Sequence, residues 1–206
     1  IKKGNITSIL NEKDANIIKS ELNKFKDITI DSIKTSERKL KPRAPFTTAS
    51  LQQAAYSTLS FSVKQTSAIA QRLYQGMALG DKEPVGLISY MRTDSTNLSD
   101  ECLKDISNYL GKNHKKYQSN EIRKYSKKVK NAQEAHEAIR PTSISNTPMK
   151  VKKYLEDADF KLYELIWKRT VASQMIDATY KQVGIEFLLG SKFLYKYSGS
   201  FLKDNG

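Results

Sequence analysis

Tyr90 and Arg92 stand two apart in the stretch Ser89-Tyr90-Met91-Arg92-Thr93-Asp94-Ser95-Thr96-Asn97. In an extended chain, residues two apart point to one side, whereas on a helix they diverge by about 200°. The apolar Leu87 and Ile88 ahead of them favour extension, so the guanidinium can stand beside the phenol. There it can grip a phosphate through two parallel hydrogen bonds. It can also favour the phenolate of a group whose free pKa is about 10. A tyrosine that attacks phosphorus requires both. The residues alone admit a plainer reading too. Tyr90 is one of 11 tyrosines, Arg92 can be a surface cation, and Asp94, Ser95 and Thr96 suit turns and helix caps.

A second stretch, Gln133-Glu134-Ala135-His136-Glu137-Ala138-Ile139-Arg140-Pro141, offers His136 with Arg140 four residues on. That pair could bind a phosphodiester, and His136 could equally be an ordinary core or surface histidine. It is not the zinc-protease pattern, because position 140 is Arg rather than His. His114 and His136 are the only 2 histidines and Cys102 the only cysteine. They give no metal site and no internal disulfide, and they fit a reducing, cytoplasmic compartment.

The elements that must position these residues follow from periodicity. Residues 26–34 alternate around Ile28 and Ile30 and predict a strand, followed by a basic, proline-bearing connector, ERKLKPRAP. Thr47 or Thr48 opens a short helix carrying Leu51, Ala55 and Leu59. Ser62 opens a second, with Ile69 and Leu73 inward and Gly76 at its end. Ser99 caps a third, with Asp100 and Glu101 in the first turn and Leu103, Ile106 and Leu110 inward; Gly111 should end it. AQEAHEAI is helix-prone. Pro141 and Pro148 bracket a linker. Phe160, Tyr163, Trp167 and Thr170, with Leu162 and Ile166 beside them, form the strongest helical stripe, over about 158–175, with Trp167 as an anchor. From Thr179 the period falls to two: Val183, Ile185, Phe187 and Leu189 lead into a turn at Gly190-Ser191, and Phe193, Tyr195 and Tyr197 return as a hairpin. The expected fold is α+β and mostly helical: a helical domain, 46–176, inserted into a β-containing one made of 1–45 and 177–206.

With 206 residues, 38% hydrophobic and 28% charged, the chain can bury a core and is not of the disordered class. No run approaches the roughly 18 apolar residues of a membrane span. It starts at Ile1 rather than Met and reads as a piece of a longer protein. The net charge of +13 favours a polyanionic partner. More than half of it, +7, lies in residues 111–130, expected as an exposed loop or arm. Phosphate contact would release counterions there, with Tyr117 and Tyr125 as possible base-stacking platforms; a merely solvated loop is the alternative.

Three segments, in this order and spacing, resemble the type IA DNA topoisomerases, closely their bacterial branch. They are PFTTASLQQAA (Pro45–Ala55), LISYMRTDSTNLS (Leu87–Ser99) and NAQEAHEAIRP (Asn131–Pro141), joined by AIAQRLY (Ala68–Tyr74) and LYELIW (Leu162–Trp167). The resemblance spans roughly 26–190. It implies that Tyr90 is the nucleophile that becomes linked to a 5′ phosphate of one DNA strand. It further implies that Arg92 contacts the scissile phosphate and that His136 lines the same site; Arg140, four residues after His136, is expected as a further DNA contact. No ATP is needed, because the phosphotyrosyl bond conserves the backbone ester for religation. A strand passes the gap, and supercoils relax. In this family Mg²⁺ is held by acidic residues of a separate toprim domain, which the resemblance does not place here. Glu134, Glu137 and Asp94 are therefore not read as metal ligands, no cofactor is expected within these residues, and they alone should neither cleave nor relax DNA efficiently. The partners implied are single-stranded DNA at the cleavage site and the other domains of the same chain. The helical part would be the moving gate of a toroid, and the β-rich ends part of its arch, with pivots near Lys41–Pro45 and Met175–Thr179. The competing reading is a non-catalytic winged-helix-like DNA-binding module, with helices 48–60 and 63–75 followed by LISYM as a wing. Against it, Val63–Gln75 carries only Lys64 and Arg72.

Overall fold

Strand-forming residues at both ends and helix-forming residues between them sort this chain into two compact units, Ile1–Leu40 with Asp177–Gly206, and Lys41–Ile176. The computed structural model describes residues 9, 11–25, 27–80, 83–125, 136–190 and 193–205. The Lys-rich end of the basic segment and Asn131–Ala135 of the third motif lie outside the described residues, as does Ser191.

In the first unit, Asn11 caps α1 (Glu12–Leu22) by accepting from the Asp14 N–H. None of this helix's residues is fully buried, and its apolar side, Ala15, Ile18 and Leu22, is only half-buried. β1 (Ile28–Leu40) pairs antiparallel with β2 (Ala178–Leu189), from Ile28 opposite Leu189 to Leu40 opposite Ala178. β2 pairs antiparallel with β3 (Phe193–Asp204), giving the order β1-β2-β3. The strand expected over 26–34 thus extends to Leu40, into the segment expected as a connector. Two causes hid it: the register shifts between Ile30 and Ser32, and the residues beyond are polar and exposed on both faces. At the β2–β3 turn Gly190 adopts φ 57°, and a Cβ there would collide with the Phe25 ring. Phe25 meets Phe193 edge-on at 6.0 Å.

The second unit holds the main core. Thr47 and Ser50 form a reciprocal capping box at the start of α2 (Thr48–Leu59). Ser62 caps α3 (Val63–Gln75), and Gly76 ends it at φ 135°. Ser99 caps α4 (Asp100–Asn113), α5 is a single turn (Pro148–Val151), and α6 runs Asp157–Ala172. α3 packs on α6, and α2 on both. Phe46, Leu73, Leu87, Ile106, Ile139, Leu162, Tyr163 and Ile166 are fully shielded at 0% exposure. Burying each such side chain is worth about 1.5–3 kcal/mol. Trp167 is the anchor expected: it meets Tyr109 edge-on at 5.1 Å and donates to the Ile144 carbonyl at 3.2 Å. The Cys102 thiol, pushed up by burial to about 11, is an inert core group.

Three local expectations are corrected. Gly111 lies inside α4, which continues to Asn113. Its missing side chain leaves room for Gln118, whose Oε1 would sit 3.3 Å from a Cβ; Gln118 bonds back to the Ser107 hydroxyl at 2.9 Å and carbonyl at 3.1 Å. The 117–125 part of the basic segment is fastened down rather than a free arm. Arg123 Nε donates to the Met175 carbonyl at 2.9 Å, and the Ile176 N–H to the Tyr117 carbonyl at 2.9 Å. The Tyr125 hydroxyl lies 3.0 Å from the Pro42 carbonyl and 2.8 Å from that of Ser173. Tyr125 is thus a structural tie, not an open stacking platform. Lastly, 136–139 is not helical, because Ile139 forms an antiparallel bridge with Phe46 and its buried side chain joins the core.

Candidate active site

Leu87 and Ile88 are buried, so the chain enters the site anchored. The Leu87 N–H bonds the Leu73 carbonyl at 2.7 Å, satisfying one of the last carbonyls of α3 that has no partner within the helix. The approach is close enough that a Cβ on Gly86 would stand 2.6 Å from the Tyr74 carbonyl oxygen; only glycine fits. On its other edge the segment meets residues 138–142. The Ser89 N–H donates to the Arg140 carbonyl at 2.9 Å, and the Thr142 N–H to the Leu87 carbonyl at 3.0 Å. The Ser89 hydroxyl donates to the Ala138 carbonyl at 2.7 Å and accepts from the Arg140 N–H at 3.0 Å.

Beyond Ser89 exposure alternates. Tyr90 is 50% exposed and Met91 only 7%, and Arg92 is again exposed. Met91 is turned into the core, and Tyr90 and Arg92 on either side of it are exposed. The Tyr90 ring meets Tyr74 edge-on at 5.4 Å between centroids, an arrangement worth about 0.5–1.5 kcal/mol.

The loop is pinned at both ends. Near Arg92, the Thr48 N–H donates to the Thr93 carbonyl at 2.9 Å, and the Thr48 hydroxyl contacts the Met91 carbonyl at 2.8 Å. At the far end the Ala138 N–H donates to the Asn97 carbonyl at 2.8 Å, and the Ser99 N–H donates to Glu137 Oε1 at 2.9 Å. Glu137 Oε2 accepts from Arg140 Nε at 3.0 Å and from its terminal nitrogen at 2.6 Å. Burial pushes the Glu137 carboxyl up, but the Ser99 and Arg140 hydrogen bonds outweigh it and hold the group below its ordinary value.

The structure therefore brings the Tyr90–Arg92 and His136–Arg140 segments together through Ser89 and Ala138. His136 is exposed, two residues ahead of the carbonyl that holds Ser89. Among the described residues no hydrogen bond or ion pair joins Tyr90, Arg92 and His136 to one another. Arg140 stands apart from them. Its side chain is only 17% exposed, and its guanidinium is spent on Glu137, the Pro141 carbonyl at 2.9 Å and Ser99 Oγ at 3.4 Å. Sequence reasoning missed Thr48, Tyr74, Ser89 and Glu137 as framework. The Thr47-Thr48 doublet signalled only a helix start, and Glu137 was weighed solely as a metal ligand. Among the described residues there is no group of three or more His, Cys, Asp or Glu that could hold a metal ion.

A winged-helix reader fits this arrangement poorly. Arg72, one of two cations on α3, is held by buried Asp159 at 2.6 Å, and the supposed wing is tied across to 138–142.

Fold and site together define a mixed α/β protein that displays a Tyr-x-Arg loop from a helical unit. The family described as DNA topoisomerase matches residues 1–206, and the chain belongs to that family, in its type IA bacterial branch. It is 47% identical over 201 residues to DNA topoisomerase 1 of Rickettsia felis, covering 97% of this chain and 26% of that protein. To DNA topoisomerase 1 of Helicobacter pylori it is 43% identical over 199 residues, 96% and 27% of the two chains. The structure of full-length topoisomerase I from Thermotoga maritima superposes with a TM-score of 0.75 at 33% identity, over 98% of this chain and 32% of that one. The chain thus spans about a quarter of the length of these two relatives.

Proposed function

We propose that these residues are the tyrosine-bearing part of an ATP-independent type IA DNA topoisomerase. In the whole protein the Tyr90 oxygen attacks a backbone phosphorus of a single-stranded segment. A Tyr90 O–P bond forms, the bond from phosphorus to the 3′ oxygen breaks, the phenol gives up its proton and the released 3′ oxygen gains one. Reversal reseals the strand, because one ester replaces another. Between the two steps another strand passes, and supercoiling relaxes. Arg92 holds the scissile phosphate by a bidentate fork, and His136 lines the same cleft and steadies the cleaved strand. Arg140, expected on DNA from its spacing to His136, is better assigned to bracing the loop through Glu137. Mg²⁺ in the whole enzyme would be held by residues outside this stretch. The unit Lys41–Ile176 acts as the inserted gate of a toroid whose arch includes the three-stranded sheet, pivoting at the two crossings between units. The enzyme works in the bacterial cytoplasm on the nucleoid; among the described residues no helix is long and apolar enough to cross a membrane.

The observation that carries this reading is the exposure of both Tyr90 and Arg92 on a loop pinned from both sides, within a family match over residues 1–206. Tyr90→Phe in the full-length enzyme tests it. Phenylalanine keeps the ring contact with Tyr74 and removes only the oxygen. Covalent adducts on single-stranded DNA should vanish while DNA binding and melting temperature hold. Adducts at the wild-type rate would exclude Tyr90 as the nucleophile.

A further inference from the structure

We infer that Thr48 is a positioning residue for Arg92. A single oxygen, Thr48 Oγ1, lies 2.8 Å from the Met91 carbonyl and accepts from the Thr93 N–H at 2.9 Å. The Met91 carbonyl belongs to the peptide before Arg92, and the Thr93 N–H to the peptide after it. Both dihedrals of Arg92 are thereby fixed from one atom, on a side chain that the Tyr-x-Arg motif does not contain. The Thr93 carbonyl, 3.1 Å from the same oxygen, is the alternative acceptor for its one proton. That oxygen is itself rigid. Thr48 is the first residue of α2, directly after the capping box, and Leu51 and Ala55 bury the helix in the core. A bidentate guanidinium grips phosphate only in a narrow range of orientations, and a displacement of about 1 Å at a reacting centre can cost a hundredfold in rate. The Arg92 side chain is exposed and has no hydrogen bond or ion pair of its own among the described residues. Its aim therefore rests on its backbone, and its backbone rests on Thr48.

The inference depends on the proposed cleavage role of Arg92, so the experiment separates the two. In the full-length enzyme, the rate of covalent adduct formation on a single-stranded oligonucleotide is compared for wild type, Thr48→Val, Thr48→Ser, Arg92→Ala, the Thr48→Val/Arg92→Ala double variant and Tyr90→Phe. Valine keeps the shape of Thr48 and its backbone bond to Thr93, so the loop stays docked. Thr48→Val should slow adduct formation about tenfold with the dissociation constant for DNA held and only the modest fall in melting temperature that the lost hydroxyl bonds produce, and Thr48→Ser should restore the rate. In the Arg92→Ala background Thr48→Val should cost less than twofold more, because the residue it positions is gone. A wild-type rate for Thr48→Val, a serine variant as slow as the valine one, or losses that multiply in the double variant would each overturn the inference. A fall large enough to leave part of the enzyme unfolded at the assay temperature, with the rate lost in proportion, would mark a merely structural role and overturn it too. Adducts surviving Tyr90→Phe, or a wild-type rate for Arg92→Ala, would instead defeat the underlying reading.

Discussion

The helical unit and the three-stranded sheet are ordered by different physics. In the helical unit, α2, α3 and α6 bury a continuous apolar cluster from Phe46 to Val171, and the polar loop 89–99 is tied to that cluster's rim. In the sheet, the 12- and 13-residue strands bury only Leu189 and Phe193 among their apolar residues, and Ile28, Ile30 and Ile33 are each more than half exposed. The sheet is held mainly by its ladder, the helical unit by its core. The difference teaches where precision resides. The Tyr90–Arg92 loop sits on the unit with a packed interior, which limits how far its groups can shift, while the long strands are only lightly packed.

Substitutions can break this contrast. Leu73→Ala removes a fully buried side chain from α3, whose own carbonyl holds Leu87; it should cost about 2–5 kcal/mol in urea unfolding. Glu137→Ala comes next. It leaves the partly buried Arg140 and the Ser99 N–H without their carboxylate and should cost about 1–2 kcal/mol. This bracket also has a pH signature. The folded carboxyl titrates below its ordinary value, so the unfolded chain binds the proton more readily. The stabilisation is present above the ordinary glutamate pKa of about 4.3 and is lost as pH falls through the folded value. Stability measured from pH 6 to pH 3 should therefore fall less steeply in Glu137→Gln than in wild type, and an identical slope would remove Glu137 from the bracket. Smallest is Ile33→Ala in β1, at 58% exposure, expected within about 0.5 kcal/mol of wild type. A loss matching that of Leu73→Ala would show that the sheet has a core of its own and would erase the contrast.

Much of this was legible in the sequence where one local rule dominated. Ser62 and Gly76 marked the ends of α3 as cap and left-handed-region glycine, and period-two spacing from Val183 to Tyr197 marked the hairpin. Legibility failed where tertiary structure overrode local preference. Gly111 read as a helix stop because a glycine's use as a slot for Gln118 is invisible along the chain. AQEAHEAI read as helix because nothing local announces that Ile139 must bridge Phe46. The site divided the same way. Tyr90 and Arg92 stood out by chemistry and spacing, and both are exposed around the buried Met91. Thr48, Ser89 and Glu137 did not, because their roles arise from contacts 38 to 51 residues away in sequence. Arg140 looked like a phosphate ligand until its guanidinium was found engaged with Glu137.

The central claim concerns one oxygen among 11 tyrosines. The direct measurement traps the full-length enzyme on a labelled single-stranded oligonucleotide, digests protein and DNA, and sequences the nucleotide-bearing peptide by mass spectrometry. The nucleotide should be found on Tyr90, joined through a 5′ phosphate. A nucleotide on any other residue, or one joined through its 3′ end, would contradict the account.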